Sequence, residues 1–255
     1  LFTNPEVGEK INILLCGDPA SGKSVLTRSV LPMYPAGMLL GPDTTPRGLV
    51  EASEIADTGI LVCDDFDKWG SEAWERMLEL MQFGETTINM KGVHVRVESK
   101  VNVLACCNSD GDKLSRILPL TSQVPFSLPT LTRFHLIIPF YSVAANKYAD
   151  IAASLVRPEE SSMAEAVRRS IIRLREDIPH VKVSDQLAKN LGKVIETIKR
   201  SSMEKEMISP RTIEGSLSLL KATTRLRNKE TAEEDDLAYV TKILESLYLQ
   251  RKAWA

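Results

Sequence analysis

The sequence predicts an α/β fold built on a parallel sheet, followed by an all-α part, and three observations predict it. Residues 17–24, Gly-Asp-Pro-Ala-Ser-Gly-Lys-Ser, fill every fixed position of G-x-x-x-x-G-K-[ST] between an apolar strand and a helix. Short β-rich runs alternate with helical stretches as far as about residue 141. Beyond that point apolar residues recur only at helical spacing.

Each element has its own warrant. Residues 11–16, Ile-Asn-Ile-Leu-Leu-Cys, read as a buried parallel strand, and 23–31 as the helix that follows the glycines. Strands are expected near 37–40, 59–64, 101–107 and 134–140, and helices near 47–55 and 71–82, giving five parallel strands covered on both faces. One interruption breaks the order. Residues 86–97 form two alternating runs about Lys91-Gly92 and read as an inserted β-hairpin. After Tyr141, three amphipathic helices carry Leu187, Leu191, Val194 and Ile198, then Ile213, Leu217 and Leu220, then Leu237, Val240, Leu244 and Leu247. Asp185, and Ser209 or Thr231, suit helix starts, with Pro210 at a first helical position. The expected division is 1–142 for the nucleotide-binding α/β core and 143–255 for the helical part.

Composition sets the outer limits. With 255 residues, 43% hydrophobic and 26% charged, the chain has length for one large and one smaller unit. A net charge of −2 excludes a generally basic nucleic-acid binder, so such contacts would need local basic elements. No apolar run approaches a membrane span and no secretory signal is present. A chain that begins at Leu1 is expected to be cut from a longer one. Cys16, Cys63, Cys106 and Cys107 fall near strand ends without zinc-type spacing, which suits core thiols of an intracellular protein.

The glycine-rich run is a phosphate cradle. Gly17, Asp18, Pro19, Ala20, Ser21 and Gly22 turn backbone N–H groups toward a β-phosphate at a helix N-terminus, Lys23 reaches the β- and γ-phosphates of ATP, and the Ser24 hydroxyl suits Mg2+. A second element is the apolar strand ending in Asp64-Asp65-Phe66-Asp67-Lys68, where Asp64 suits the hydrated Mg2+ and Asp65 can polarise the attacking water. Asp65 is one methylene shorter than glutamate, which shortens its reach. In third place, Asn108 closes an apolar strand and can hydrogen-bond a γ-phosphate or the water.

This series resembles the AAA+ motor domain of the minichromosome-maintenance (MCM) replicative helicases. The resemblance rests on residues 11–19, Asp64-Asp65-Phe66-Asp67-Lys68, the hairpin, Asn108, residues 128–134 (Leu-Pro-Thr-Leu-Thr-Arg-Phe), and the lid-like runs 183–188 and 209–214. It implies an AAA+ P-loop NTPase with a small all-α lid, acting as an ATP-dependent DNA helicase motor in DNA replication. The resemblance makes Arg133 the arginine finger and Arg211 the second sensor, both acting on ATP of a neighbouring subunit. It also puts Lys91 at the tip of a hairpin that meets single-stranded DNA in the channel of a hexameric ring, formed by the chain alone or with paralogous subunits. Its location would be cytoplasmic in a prokaryote and nuclear in a eukaryote. Read alone, each arginine fits a surface ion pair and Lys91 a solvated turn.

Departures from the family pattern bear on activity. Asp65 stands where glutamate is usual, Ala20-Ser21-Gly22 replace glycine-threonine-alanine, and His135 replaces aspartate. Residues 49–59 leave room for one short helix only, without the hairpin that interrupts it in the family, and the channel hairpin is shorter by about two residues. Two alternatives therefore stand: a degenerate MCM homologue that binds nucleotide with little helicase activity, and a chelatase or MoxR-type AAA+ protein remodeller.

Overall fold

The computed structural model describes residues 2–90, 93–111, 113–143, 145–148 and 161–249. Seven strands lie among them: β1 (Asn12–Gly17), β2 (Gly37–Leu40), β3 (Ile60–Cys63), β4 (Glu85–Met90), β5 (Val93–Glu98), β6 (Asn102–Asn108) and β7 (Leu136–Phe140). The helices are α1 (Lys23–Val30), α2 (Pro46–Ile55), α3 (Ser71–Phe83), the single turn α4 (Leu128–Leu131), α5 (Ser161–Asp177), α6 (Asp185–Ser201), α7 (Pro210–Leu226) and α8 (Glu234–Tyr248).

Five strands form one all-parallel sheet in the order β2-β3-β6-β1-β7. Strand β1 sits between β6 and β7, so the chain reverses its direction of winding there, and the crevice past the C-terminal end of β1 is where such sheets bind ligands. The strands are apolar because both faces are covered. Leu14, Leu61, Ala105 and Ile137 are buried on one face with helices α2 and α3 beyond them, and Leu15, Val62, Leu104 and Cys106 on the other.

Strands β4 and β5 pair antiparallel from Glu85↔Glu98 to Met90↔Val93. This hairpin backs onto α2 and α3 through buried Thr86 and Val97, and the Ser99 hydroxyl donates to the Ser53 carbonyl at 2.7 Å. The turn that should carry Lys91 lies outside the described residues.

Helix α2 runs unbroken over ten residues. Thr45 caps it by accepting the Gly48 N–H, Pro46 occupies the first turn, and only three residues separate it from the Gly59 that leads into β3. The hairpin expected to be missing from this helix is indeed not there.

In the helical part, α6, α7 and α8 pack on one another, and their buried leucines belong to the same core as Ile11 and Val101 of the sheet region. Helix α5 was not foreseen. It is thick with charge and buries Ile171 and Leu174 along one edge, too narrow a stripe to stand out in the sequence. Two helix starts also need correction. Ser184, not Asp185, is the cap of α6, its hydroxyl accepting the Leu187 N–H, and α8 starts behind Glu233 while Thr231 bridges to Lys182 instead.

A buried ion pair ties the N-terminal segment to the helices. The Arg225 guanidinium, fully buried, meets Glu9 at 2.8 Å and donates to the carbonyls of Ile178, Pro179 and Phe2. Every one of its neighbours is an acceptor, the condition under which a buried charge is tolerated.

Candidate functional site: the nucleotide cradle and the opposite sheet edge

Gly17 ends β1 where β7 comes closest. A Cβ there would lie 1.9 Å from the Phe140 carbonyl oxygen, so only glycine allows Asp18 N–H to bond that same carbonyl at 2.9 Å. Positive φ at Ala20 (55°) and Gly22 (91°) then curls the chain into the N-terminus of α1.

The loop is held from below. Asp18 is 3% exposed and accepts from Leu114 N–H at 2.5 Å and from both the N–H and hydroxyl of Ser142 at 2.6 Å. Burial acts to raise its pKa, but the bonds from Ser142 and Leu114 outweigh burial and hold the carboxyl below its ordinary value. Lys23 is folded inward and donates to Gly17 O at 3.0 Å, Asp18 O at 2.7 Å and Ser21 Oγ at 3.3 Å. Its ammonium is therefore already desolvated and positioned over the loop.

Asp64, one residue past β3, receives three donors: Ser24 Oγ at 2.9 Å, Arg28 at 3.1 Å and Cys106 Sγ at 2.9 Å. Burial opposes its charge, yet the bonds from Cys106, Arg28 and Ser24 win and lower its pKa. Cys106 stays a thiol, pushed up to about 12 by burial and by Asp64. A hydroxyl and an ionised carboxylate within hydrogen-bond distance of each other form a hard-oxygen pair beside the phosphate loop, which fits Mg2+ carried with phosphates better than a soft metal. Sequence reasoning missed Arg28. Its spacing of four from Ser24, which sets both on one face of α1, was the signal available.

Asp65 adopts a left-handed conformation (φ 46°) and its carboxylate pairs with Lys68 at 2.7 Å. Asn108 ends β6 opposite Gly17, with no side-chain hydrogen bond among the described residues. Between them Asp67 is half-buried with one oxygen unpartnered, and burial, then the charge of Asp65, raises its pKa. Phe66 anchors this acidic turn in a cluster with Trp69, Trp74, Phe126 and Phe134, at centroid distances from 5.1 to 6.3 Å.

Arg133 and Arg211 lie elsewhere. Arg133 just precedes β7, and its carbonyl accepts from the Asn12 amide at the start of β1. Its guanidinium grips Gln82 Oε1 at 3.1 and 3.2 Å. Arg211, in the first turn of α7, donates to Thr132 O at 3.4 Å. Gly215, one turn on, presses against the buried His135 ring, whose Nδ1 accepts the Asn12 N–H at 2.9 Å. Both arginines thus occupy the edge where strands begin, whereas the cradle occupies the edge where they end. The six residues of β1 separate the two by about 20 Å.

With this geometry in hand, the comparisons with known proteins can be read. Residues 3–157 match the family model of the MCM P-loop domain. The chain belongs to the MCM family. DNA replication licensing factor MCM4 of Arabidopsis thaliana is 27% identical over 92% of this MCM chain and 31% of its own length. The licensing factor mcm-6 of Caenorhabditis briggsae is 25% identical over 88% of the chain and 32% of its own length. An uncharacterised MCM-type protein of Methanocaldococcus jannaschii is 23% identical over 92% of the chain and 39% of its own length. The chain spans about a third of the length of these curated relatives. Its sheet is that of an α/β P-loop NTPase of the AAA+ type. No helix among the described residues is long and apolar enough to cross a membrane.

Proposed function

We propose that this MCM chain is an ATP-dependent motor that works on DNA as part of a ring of like subunits, each ATP site shared between two of them. Residues 1–142 supply the cradle and 143–255 the lid. Gly17–Ser24 and Asp64 hold Mg2+-ATP. Asp65 and Asn108 address the water, and Arg133 and Arg211 reach the γ-phosphate of a neighbour's nucleotide. When bound, the metal would neutralise phosphate charge beside Ser24 and Asp64. The chain's own contributions are the Lys23 charge over the loop and planar cations supplied from outside the home site.

One observation carries this reading: the arginines stand a strand's length from their own cradle, so any phosphate they touch must arrive on another molecule. That arrangement is head-to-tail, the contact type that closes rings. Relatives named as DNA replication licensing factors support DNA as the substrate.

The test is complementation. Arg133→Ala and Lys23→Ala should each lose most ATPase activity, Lys23→Ala through nucleotide binding and Arg133→Ala with binding intact. At equal mixing about a quarter of head-to-tail interfaces would join an intact cradle to an intact finger, and activity should return in that proportion. No gain in mixtures where subunit exchange is demonstrated refutes the shared site.

A second reading, a homologue that binds nucleotide but scarcely turns it over, is favoured by the short Asp65 carboxylate held by Lys68. Of the described basic residues on the hairpin, Arg96 is engaged by Glu85 and Glu98, which leaves little positive charge there for DNA. ATPase activity that single-stranded DNA stimulates selects the motor; a flat, near-zero rate selects the alternative.

A further inference from the structure

We propose that Lys10 is the third cation of an anion site formed with Arg133 and Arg211 at the edge where the strands begin, fitted to the terminal phosphates of a polyphosphate. That the polyphosphate belongs to a nucleotide on a second copy of the chain rests on the shared-site reading above.

The three side chains converge on one place. Lys10 Nζ donates to Met81 O at 3.2 Å, Arg133 holds the side chain of the next residue, Gln82, and Arg211 bonds the carbonyl of Thr132, the residue before Arg133. Asn12 stitches the group together, its amide directed at both Met81 O and Arg133 O.

What sets the group apart is the lack of a counter-ion. The anchors of all three cations are two carbonyls and an amide, and none of the three makes an ion pair with a carboxylate among the described residues. Elsewhere the chain matches its inward-facing arginines with acids: Arg225 with Glu9, Arg28 with Asp64, Arg227 with Asp236. The cations also oppose each other's charge. Burial and then Arg211 lower the Arg133 pKa, and burial lowers that of Lys10 with Arg211 adding to the effect against Glu214. Beside them His135 is held neutral, its pKa pushed down to about 4 by burial and by Lys10 and Arg211. Three like charges, partly desolvated and unbalanced, are unfavourable together until an anion joins them. Two planar guanidiniums and one ammonium suit a phosphate with several free oxygens.

Met81 is among the last residues of α3, so Lys10 also caps that helix. This uses one of its three N–H groups and leaves two for a ligand. The substitution Lys10→Gln separates the roles, since an amide can still cap but carries no charge.

The experiment uses the chain with Lys23→Ala, which silences its own cradle, and measures binding of inorganic tripolyphosphate by calorimetry. Circular dichroism and a urea midpoint check folding, and Lys10→Arg, which retains charge, serves should Lys10→Gln not fold. Adding Lys10→Gln should weaken binding about tenfold, the worth of one charge-assisted hydrogen bond, and Lys10→Arg should restore it. Equal affinity with and without the Lys10 charge overturns the proposal. Weakened anion binding together with failed complementation between subunits upholds the three-cation site and overturns its assignment to a neighbour's nucleotide.

Discussion

Gly215→Ala probes the joint that carries Arg211. An added Cβ would lie 2.2 Å from His135 Cβ, 2.6 Å from its Cγ and 3.0 Å from its Cδ2. Rotating the imidazole cannot relieve the first of these contacts, because His135 Cβ is fixed by the backbone of the segment entering β7. The helix must therefore retreat by more than 1 Å to restore ordinary contact, and overpacking of this kind costs about 1–3 kcal/mol. Alanine recovers up to about 1 kcal/mol of helix propensity at an interior position. The net expectation is a loss of about 1–2 kcal/mol in urea unfolding, with no change in m-value. A double-mutant cycle sharpens the test. His135→Ala keeps the Cβ and should leave the penalty in place. His135→Gly removes it, so that Gly215→Ala becomes neutral or stabilising in that background. Since Arg211 lies one turn before Gly215, ATP binding at the home cradle should be unaffected while hydrolysis across the interface falls. A Gly215→Ala protein as stable as the parent, or equally destabilised in both His135 backgrounds, would refute the packing argument.

Two further outcomes are expected. His135 titrates near 4 when folded and near 6.5 when unfolded, so its neutral form contributes stability that is complete above pH 6.5 and lost as pH falls toward 4, roughly 3 kcal/mol at most; His135→Gln should flatten that part of the stability profile in chemical denaturation at a series of pH values. Asp65→Glu should raise kcat about tenfold without altering nucleotide affinity, since a longer carboxylate reaches beyond the Lys68 contact toward the water, and a fall in kcat would overturn the reach argument.

Much of this molecule is written in local pattern. The cradle at 17–24 is legible because its chemistry needs fixed residue types at fixed spacing, and the strands because burial on both faces makes them continuously apolar. Hairpin and parallel-strand positions fall within a residue or two of expectation for the same reason. Helix α5 escaped notice because a helix that buries little shows little periodicity.

The sequence by itself determined the elements, the phosphate cradle with its acid partner, and the family. Tertiary structure alone decided who meets whom. It brought Arg28 and Cys106 onto Asp64, buried Arg225 against Glu9, pressed Gly215 onto His135, and gathered Lys10, Arg133 and Arg211 at the edge away from their own cradle. Those pairings join residues from 36 to more than 200 positions apart, and no local periodicity encodes them. They are set by the strand order, which places the beginnings and ends of parallel strands on opposite sides of one sheet.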